Sequence, residues 1–251
     1  MPKKRKHEQP APGKMVEVNG REMHVFTKGR VENTYIFLPG SGTQYPTTDF
    51  EPLWSLLAVD SKIVVVEKAG YGWSDISDNT PRDINTLLGE TREALRQAEI
   101  PPPYILVPHS FSGIETLYWA QTYPEEIKAI CGLDPAVPEY QEVAKLRLWL
   151  IRLIAKLGAI TSDMANEAVY ARENAAQVKS APFPISIPAY FFISDGKFAH
   201  AANVKNWTAL LIENVKKFKN GKYMLLDCGH DVHTQKAKEI AVEIKNFIAT
   251  V

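Results

Sequence analysis

The chain predicts one α/β domain built on a mostly parallel, doubly wound sheet. Two observations lead there. From residue 34 onward, short runs rich in Val, Ile, Tyr and Phe alternate with helical stretches, the pattern of βαβ crossovers and of a sheet covered on both faces. A length of 251 residues, 45% of them hydrophobic, is also enough to bury one large core without disulfide staples. In such sheets, ligands sit beyond the carboxyl ends of the strands, so the chemistry is expected just after each strand.

Composition removes several function classes. Lys plus Arg and Asp plus Glu are each 29, a formal net charge of zero, which gives no global field to gather nucleic acid. No run of 18 uncharged apolar residues occurs, so no membrane-spanning helix is expected. Cys131 and Cys228 lie in or beside apolar runs, AICGLD and YMLLDCGH, and read as two buried free thiols. Neither belongs to a CxxC pair or a Cys/His cluster with zinc spacing, and no metal site or cofactor is expected. Two isolated thiols are compatible with a cytoplasmic location. The N-terminal PKKRK string resembles a nuclear import signal, but a solvated basic tail over residues 1–13 is the plainer reading. No secretory leader pattern follows it.

Along the chain, Asn19-Gly20 between two alternating runs signals a hairpin, because both turn positions tolerate positive φ. TYIFLP (34–39) is a buried strand, 46–59 a helix, KIVVVE (62–67) a strand and 82–98 an amphipathic helix. Pro101-Pro102-Pro103 stops that helix and launches the strand YILVPH (104–109). A helix over 112–123, strands over 127–134 and 188–194, a helix over 203–218, a strand over 222–227 and a last helix over 234–249 complete the alternation.

One stretch breaks it. Between the strand ending at Asp134 and the strand starting near Pro188 there is no strand pattern, over far more residues than an ordinary connection needs. EYQEVAKLRLWLIRLIAKLG reads as a helix with Val143, Leu146, Leu150, Leu153, Ile154 and Leu157 on one face. A second helix is expected over 162–179. The plan is therefore a tail at 1–13, a core from 14–135 and 186–251, and a small helical lid over 136–185, inserted before the penultimate strand.

The string Tyr104-Ile-Leu-Val-Pro-His-Ser-Phe-Ser-Gly runs an apolar strand straight into Ser110, and a helix begins at once. A serine at such a strand-to-helix turn is held with its hydroxyl exposed above the sheet, and small residues must flank it. Ser112 and Gly113 supply them after the turn; Pro108 stands where glycine is usual. A serine hydroxyl needs a base. Gly229-His230 directly follows the last strand, so His230 is favoured as that base, with His233 as the rival. The imidazole needs an orienting acid. Asp195 follows its strand immediately and gives the chain order Ser, Asp, His, which favours it. Asp134, at the end of the preceding strand, is the alternative acid. For the oxyanion, the Phe111 N–H lies just after the nucleophile. In LPGSGT, Gly40 and Gly42 let the backbone turn the Ser41 amide inward. That loop lacks the ending of a phosphate-binding loop.

Four blocks, LPGSG, EKAGYGWSD, VPHSFSG and DCGHDVH, occur in this order and resemble the α/β-hydrolase superfamily over about residues 15–250. The resemblance implies an α/β-hydrolase fold with the lid at the family's usual insertion point. It implies a tight structural turn at Gly70-Tyr71-Gly72-Trp73-Ser74, and a serine-nucleophile branch rather than those that use aspartate. Most members have His-Gly where this chain has Pro39-Gly40. The expected activity is hydrolysis of a carboxylic ester of a small or medium apolar substrate through an acyl-enzyme. An aminopeptidase, C–C bond hydrolase or acyltransferase on the same scaffold, or a binding or signalling protein with an idle triad, stand as alternatives. The expected partner is a small molecule; oligomeric state is left open.

Overall fold

The computed structural model describes residues 9–30, 33–77, 80–139, 151, 153–195 and 206–251. Its sheet contains β1 (Lys14–Val18), β2 (Arg21–Lys28), β3 (Thr34–Leu38), β4 (Lys62–Val66), β5 (Tyr104–Pro108), β6 (Ile127–Leu133), β7 (Ala189–Ser194) and β8 (Gly221–Leu226). The strand order is β1-β2-β4-β3-β5-β6-β7-β8. β2 pairs antiparallel with β1 and with β4, and every other pairing is parallel. The hairpin turns at Asn19-Gly20, both with positive φ, as the sequence predicts.

Alternation along the strands feeds two cores. Ile36, Leu38, Val64 and Leu106 face one side, where they pack with residues of α3 (Ile84–Gln97), α4 (Ser112–Thr122) and α6 (Trp207–Val215). Phe37, Val65, Ile105 and Val107 face the other, against α2 (Glu51–Leu57) and α8 (Ala237–Ile248). Both faces are therefore covered, which is what a parallel sheet requires. Cys131 and Cys228 are free and buried. No helix among the described residues is long and apolar enough to cross a membrane.

Two predicted helices are divided. The stretch 46–59 forms α1 (Pro46–Asp49) and α2, because Pro52 has no N–H to give Thr48 and Phe50 turns the chain between them. The last helix forms α7 (Val232–Gln235) and α8, broken at Lys236 with φ −127° and ψ 27°. The amphipathic helix expected from residue 139 lies mainly outside the described residues, although residues 153–156 are helical. The second insertion helix is present as α5 (Ser162–Ser180), capped by Thr161, whose side chain accepts from the Met164 N–H. α5 is tied to the core by polar contacts: Asp163 with Ser77, Glu167 with Tyr71, and Asn174 Nδ2 to the Arg82 carbonyl at 3.0 Å.

The parallel strands place their carboxyl ends along one edge, so the segments beginning at Pro39, His109, Asp134, Asp195 and Asp227 start side by side. Gly113 sets how closely α4 approaches that edge. A Cβ there would collide with the Ala136 carbonyl oxygen. Gly113→Ala raises helix propensity, worth about 1 kcal/mol, yet the collision is expected to reverse the sign. The variant should lose about 1–3 kcal/mol of stability, the scale of overpacking, measured as a lower urea midpoint at unchanged slope.

Candidate active site

The site starts from one strained residue. β5 ends at Pro108, and Ser110 takes φ 50°, a conformation that costs a non-glycine residue about 1–2 kcal/mol. The surroundings hold it there. The Ser110 N–H donates to the Leu133 carbonyl at 3.3 Å, and the Ser110 carbonyl accepts from Gly113 at 2.9 Å and Ala136 at 2.7 Å. β6 with the segment after it, and α4, which begins at Ser112, thus clamp the turn from two sides. Pro108 still reaches register with Leu38 of β3; lacking an N–H, it closes the strand without interrupting it. Gly40 packs directly on this turn, where a Cβ would lie 2.9 Å from the Ser110 Cβ and 3.0 Å from the His109 Nδ1.

His230, on the loop after β8, is brought to the serine, with Nε2 2.8 Å from the Ser110 Oγ. Its Nδ1 lies 2.7 Å from the Asp134 Oδ2. Asp134 has φ 45° and a side chain only 1% exposed. Its carboxylate also accepts from the Ser194 N–H at 3.0 Å and the Ser194 hydroxyl at 2.8 Å. Three donors thus fix the carboxylate toward the imidazole. The Trp207 ring meets His230 edge-on at 5.8 Å.

The sequence reading favours Asp195, after β7, with Asp134 as the alternative; in the structure the carboxylate beside His230 Nδ1 is that of Asp134, after β6. Both satisfy the chain order Ser, Asp, His, so order could not separate them. What decides is register: Asp134 N–H donates to Phe192 O at 2.8 Å, locking Asp134 beside Ser194, so the residue just before Asp195 supplies the donors that aim Asp134. The rival base His233 is fully buried, and its Nε2 lies 2.9 Å from the Asp49 Oδ2 instead.

Ser110, His230, Gly40, Ser41 and Gly42 line one open cavity of about 470 Å³. Among the described residues, neither the Ser41 nor the Phe111 N–H donates to a backbone carbonyl. His109 and Asp49 also line the cavity, and the sequence reading assigned them no role. His109 packs between His230 and His233, with ring centroids 4.8 and 4.5 Å away. Asp49, His109 and His233 are the one group among the described residues that could hold a metal ion, with ligand atoms within 4.8 Å of one another. As they stand, Asp49 and His233 already satisfy each other by a hydrogen bond. The strings TTDF and GHDVH contain these residues, but their proximity has no sequence signal.

No family model matches the chain. Among curated proteins, the uncharacterized protein YbdG of Bacillus subtilis is 46% identical over 134 residues, 53% of this chain and 41% of that protein. The uncharacterized protein YqjL of the same organism is 30% identical over 125 residues, 49% of this chain and 48% of that one. The chain spans less than half the length of the curated relatives it matches. Solved structures match it almost end to end. The enol-lactonase from Burkholderia xenovorans superposes with a TM-score of 0.71 at 18% identity, covering 94% of this chain and 100% of that one. An α/β-hydrolase fold protein from Burkholderia ambifaria gives 0.71 at 12%, covering 96% and 100%. The bromoperoxidase from Bacillus anthracis gives 0.70 at 14%, covering 94% and 99%. The chain has the α/β-hydrolase fold.

Burial, reinforced by His233 and His230, holds the His109 imidazole well below its ordinary pKa. The native state therefore keeps His109 neutral where the unfolded chain protonates it. Stability is full above the unfolded histidine pKa of about 6.5 and falls as pH drops through it. The wild type should lose up to about 1.4 kcal/mol per pH unit more than His109→Gln between pH 6 and pH 5. Urea unfolding of both proteins at each pH measures the difference in slope.

Proposed function

We propose that the chain is a serine hydrolase that cleaves a carboxylic ester through an acyl-enzyme. The observation that carries this reading is the continuous line of contacts from the Ser110 Oγ to His230 Nε2 at 2.8 Å and from His230 Nδ1 to Asp134 at 2.7 Å. Both distances are within direct hydrogen-bond reach, as a nucleophile and its base require. Ser110 attacks the ester carbonyl while His230 Nε2 takes its proton, and the Ser110 Oγ–carbon bond forms as the carbonyl π pair moves onto oxygen. The N–H groups of Phe111 and Ser41 receive that oxyanion. His230 then protonates the leaving alkoxide as the ester C–O bond breaks. Water repeats the sequence on the acyl-enzyme, with His230 as base and Ser110 as leaving group. Asp134 holds the Nδ1–H tautomer and stabilises the imidazolium.

Several observations support the finer points. A cavity of about 470 Å³ suits a small or medium substrate. The name of the enol-lactonase neighbour speaks of an ester ring, which favours ester over amide cleavage. The insertion between β6 and β7 is read as a lid because its Ala159 carbonyl accepts at 2.8 Å from the Nε2 of Gln44, a residue that lines the cavity.

Ser110→Ala should abolish turnover of short p-nitrophenyl esters and labelling by a fluorophosphonate, with the fold intact by circular dichroism. Asp134→Asn should lower kcat by roughly three to four orders of magnitude, while Asp195→Asn should stay within about fivefold of wild type, since the carboxylate at His230 Nδ1 is that of Asp134. Steady-state kinetics of the three variants decide the matter. Full turnover in Ser110→Ala would end the serine mechanism, and the reverse ranking of the two aspartates would end the assignment of Asp134.

A further inference from the structure

The loop that carries Ser41 is not braced by the strand that precedes it alone. Its Gly42, at φ +84°, donates its N–H at 3.2 Å to the hydroxyl of Tyr71, a fully buried residue of the turn after β4. That oxygen has one proton, and it donates it at 2.8 Å to Glu167 of α5. Burial pushes the Tyr71 phenol well above its ordinary pKa, so the donor persists across the working pH range. Glu167 is itself fully buried. Its neighbour Lys68, 3.9 Å away, reaches Glu115 of α4 at 3.2 Å and the Ser112 hydroxyl at 3.2 Å. Ser112 in turn donates to the Pro39 carbonyl at the start of the same loop. The segments on the two sides of the Ser110 hydroxyl, 39–42 and the first turn of α4, thus converge on one buried cluster whose anchor comes from the insertion.

We infer that Tyr71 is a positioning residue for the oxyanion site, and that Glu167 of α5 sets it, so the placement of the inserted helix governs how well the site stabilises the transition state. The inference rests on the serine-hydrolase reading above. Tyr71 lies behind the loop and bonds to its Gly42 N–H. The substrate meets the other side, so loss of the phenol should act on the transition state more than on binding. An oxyanion donor displaced by a fraction of an ångström loses much of its effect, because the charge it meets exists only transiently.

The test uses the full chain and a p-nitrophenyl ester, with active sites titrated by fluorophosphonate. Tyr71→Phe removes one oxygen and should lower kcat per titrated site by about ten- to a hundredfold with KM within twofold. Binding of a trifluoromethyl ketone, whose tetrahedral adduct with Ser110 carries the oxyanion, should weaken by the same factor. Glu167→Ala, which leaves the phenol without its acceptor, should reproduce the loss. Glu167→Gln, whose carboxamide oxygen still accepts from Tyr71, should restore kcat to within about threefold. A purely structural role predicts fewer titratable sites and a lower melting temperature with kcat per site unchanged; that result overturns the inference, as does a Gln variant as impaired as the Ala variant. If Tyr71→Phe fails to fold, the Glu167 pair alone decides in the same terms. A wild type that neither labels nor turns over ester defeats the hydrolase reading itself, a result these variants do not produce.

Discussion

The positive φ of Ser110 is the constraint from which the site follows. A non-glycine residue adopts that conformation only when its neighbours over-determine it, and here they do. The Leu133 carbonyl receives the Ser110 N–H, and the Ala136 and Gly113 amides converge on the Ser110 carbonyl. That arrangement needs β5 and β6 adjacent and parallel, an α4 that starts at once, and a glycine at 113 to permit the close approach of Ala136. Strain at one residue is thus held by the register of the central strands, and the hydroxyl is left standing above the sheet edge.

The same economy governs the carboxylate beside His230. Asp134 also sits at positive φ, at the end of β6, and its carboxylate is aimed by Ser194 from the neighbouring strand. Two consecutive strands therefore each end in a left-handed residue that projects a functional group to the same edge. His230 reaches both from the loop after β8. The imidazole needs no large excursion, because the strand ends already sit side by side.

Around this core, the buried polar groups form chains and not isolated pairs. Lys68, Glu115, Glu167, Tyr71 and Ser112 are all within the interior, and they join three segments distant in sequence. Burying charged groups is costly unless they are paired and hydrogen-bonded, so such a cluster contributes little net stability and serves to fix geometry. Here it joins the loop at 39–42, the first turn of α4 and the inserted helix α5.

By itself, the sequence determined the architecture, and it singled out Ser110 and His230, which the structure brings within 2.8 Å of each other. Apolar runs at period 2, glycine and proline breaks, and a serine between a strand and a helix are local signals, and local chemistry dictates them. It left Asp134 and Asp195 as rivals because both follow strands and both precede His230; only the register of β6 against β7, with Ser194 as donor, separates them. The breaks at Phe50 and Lys236 were missed because apolar periodicity continues through them, although Pro52 marks the first. His109, His233 and Asp49 come together from three segments, as do Tyr71, Gly42 and Glu167. Tertiary structure alone decided those meetings, since a residue's spacing along the chain carries no information about which distant side chain will share its burial.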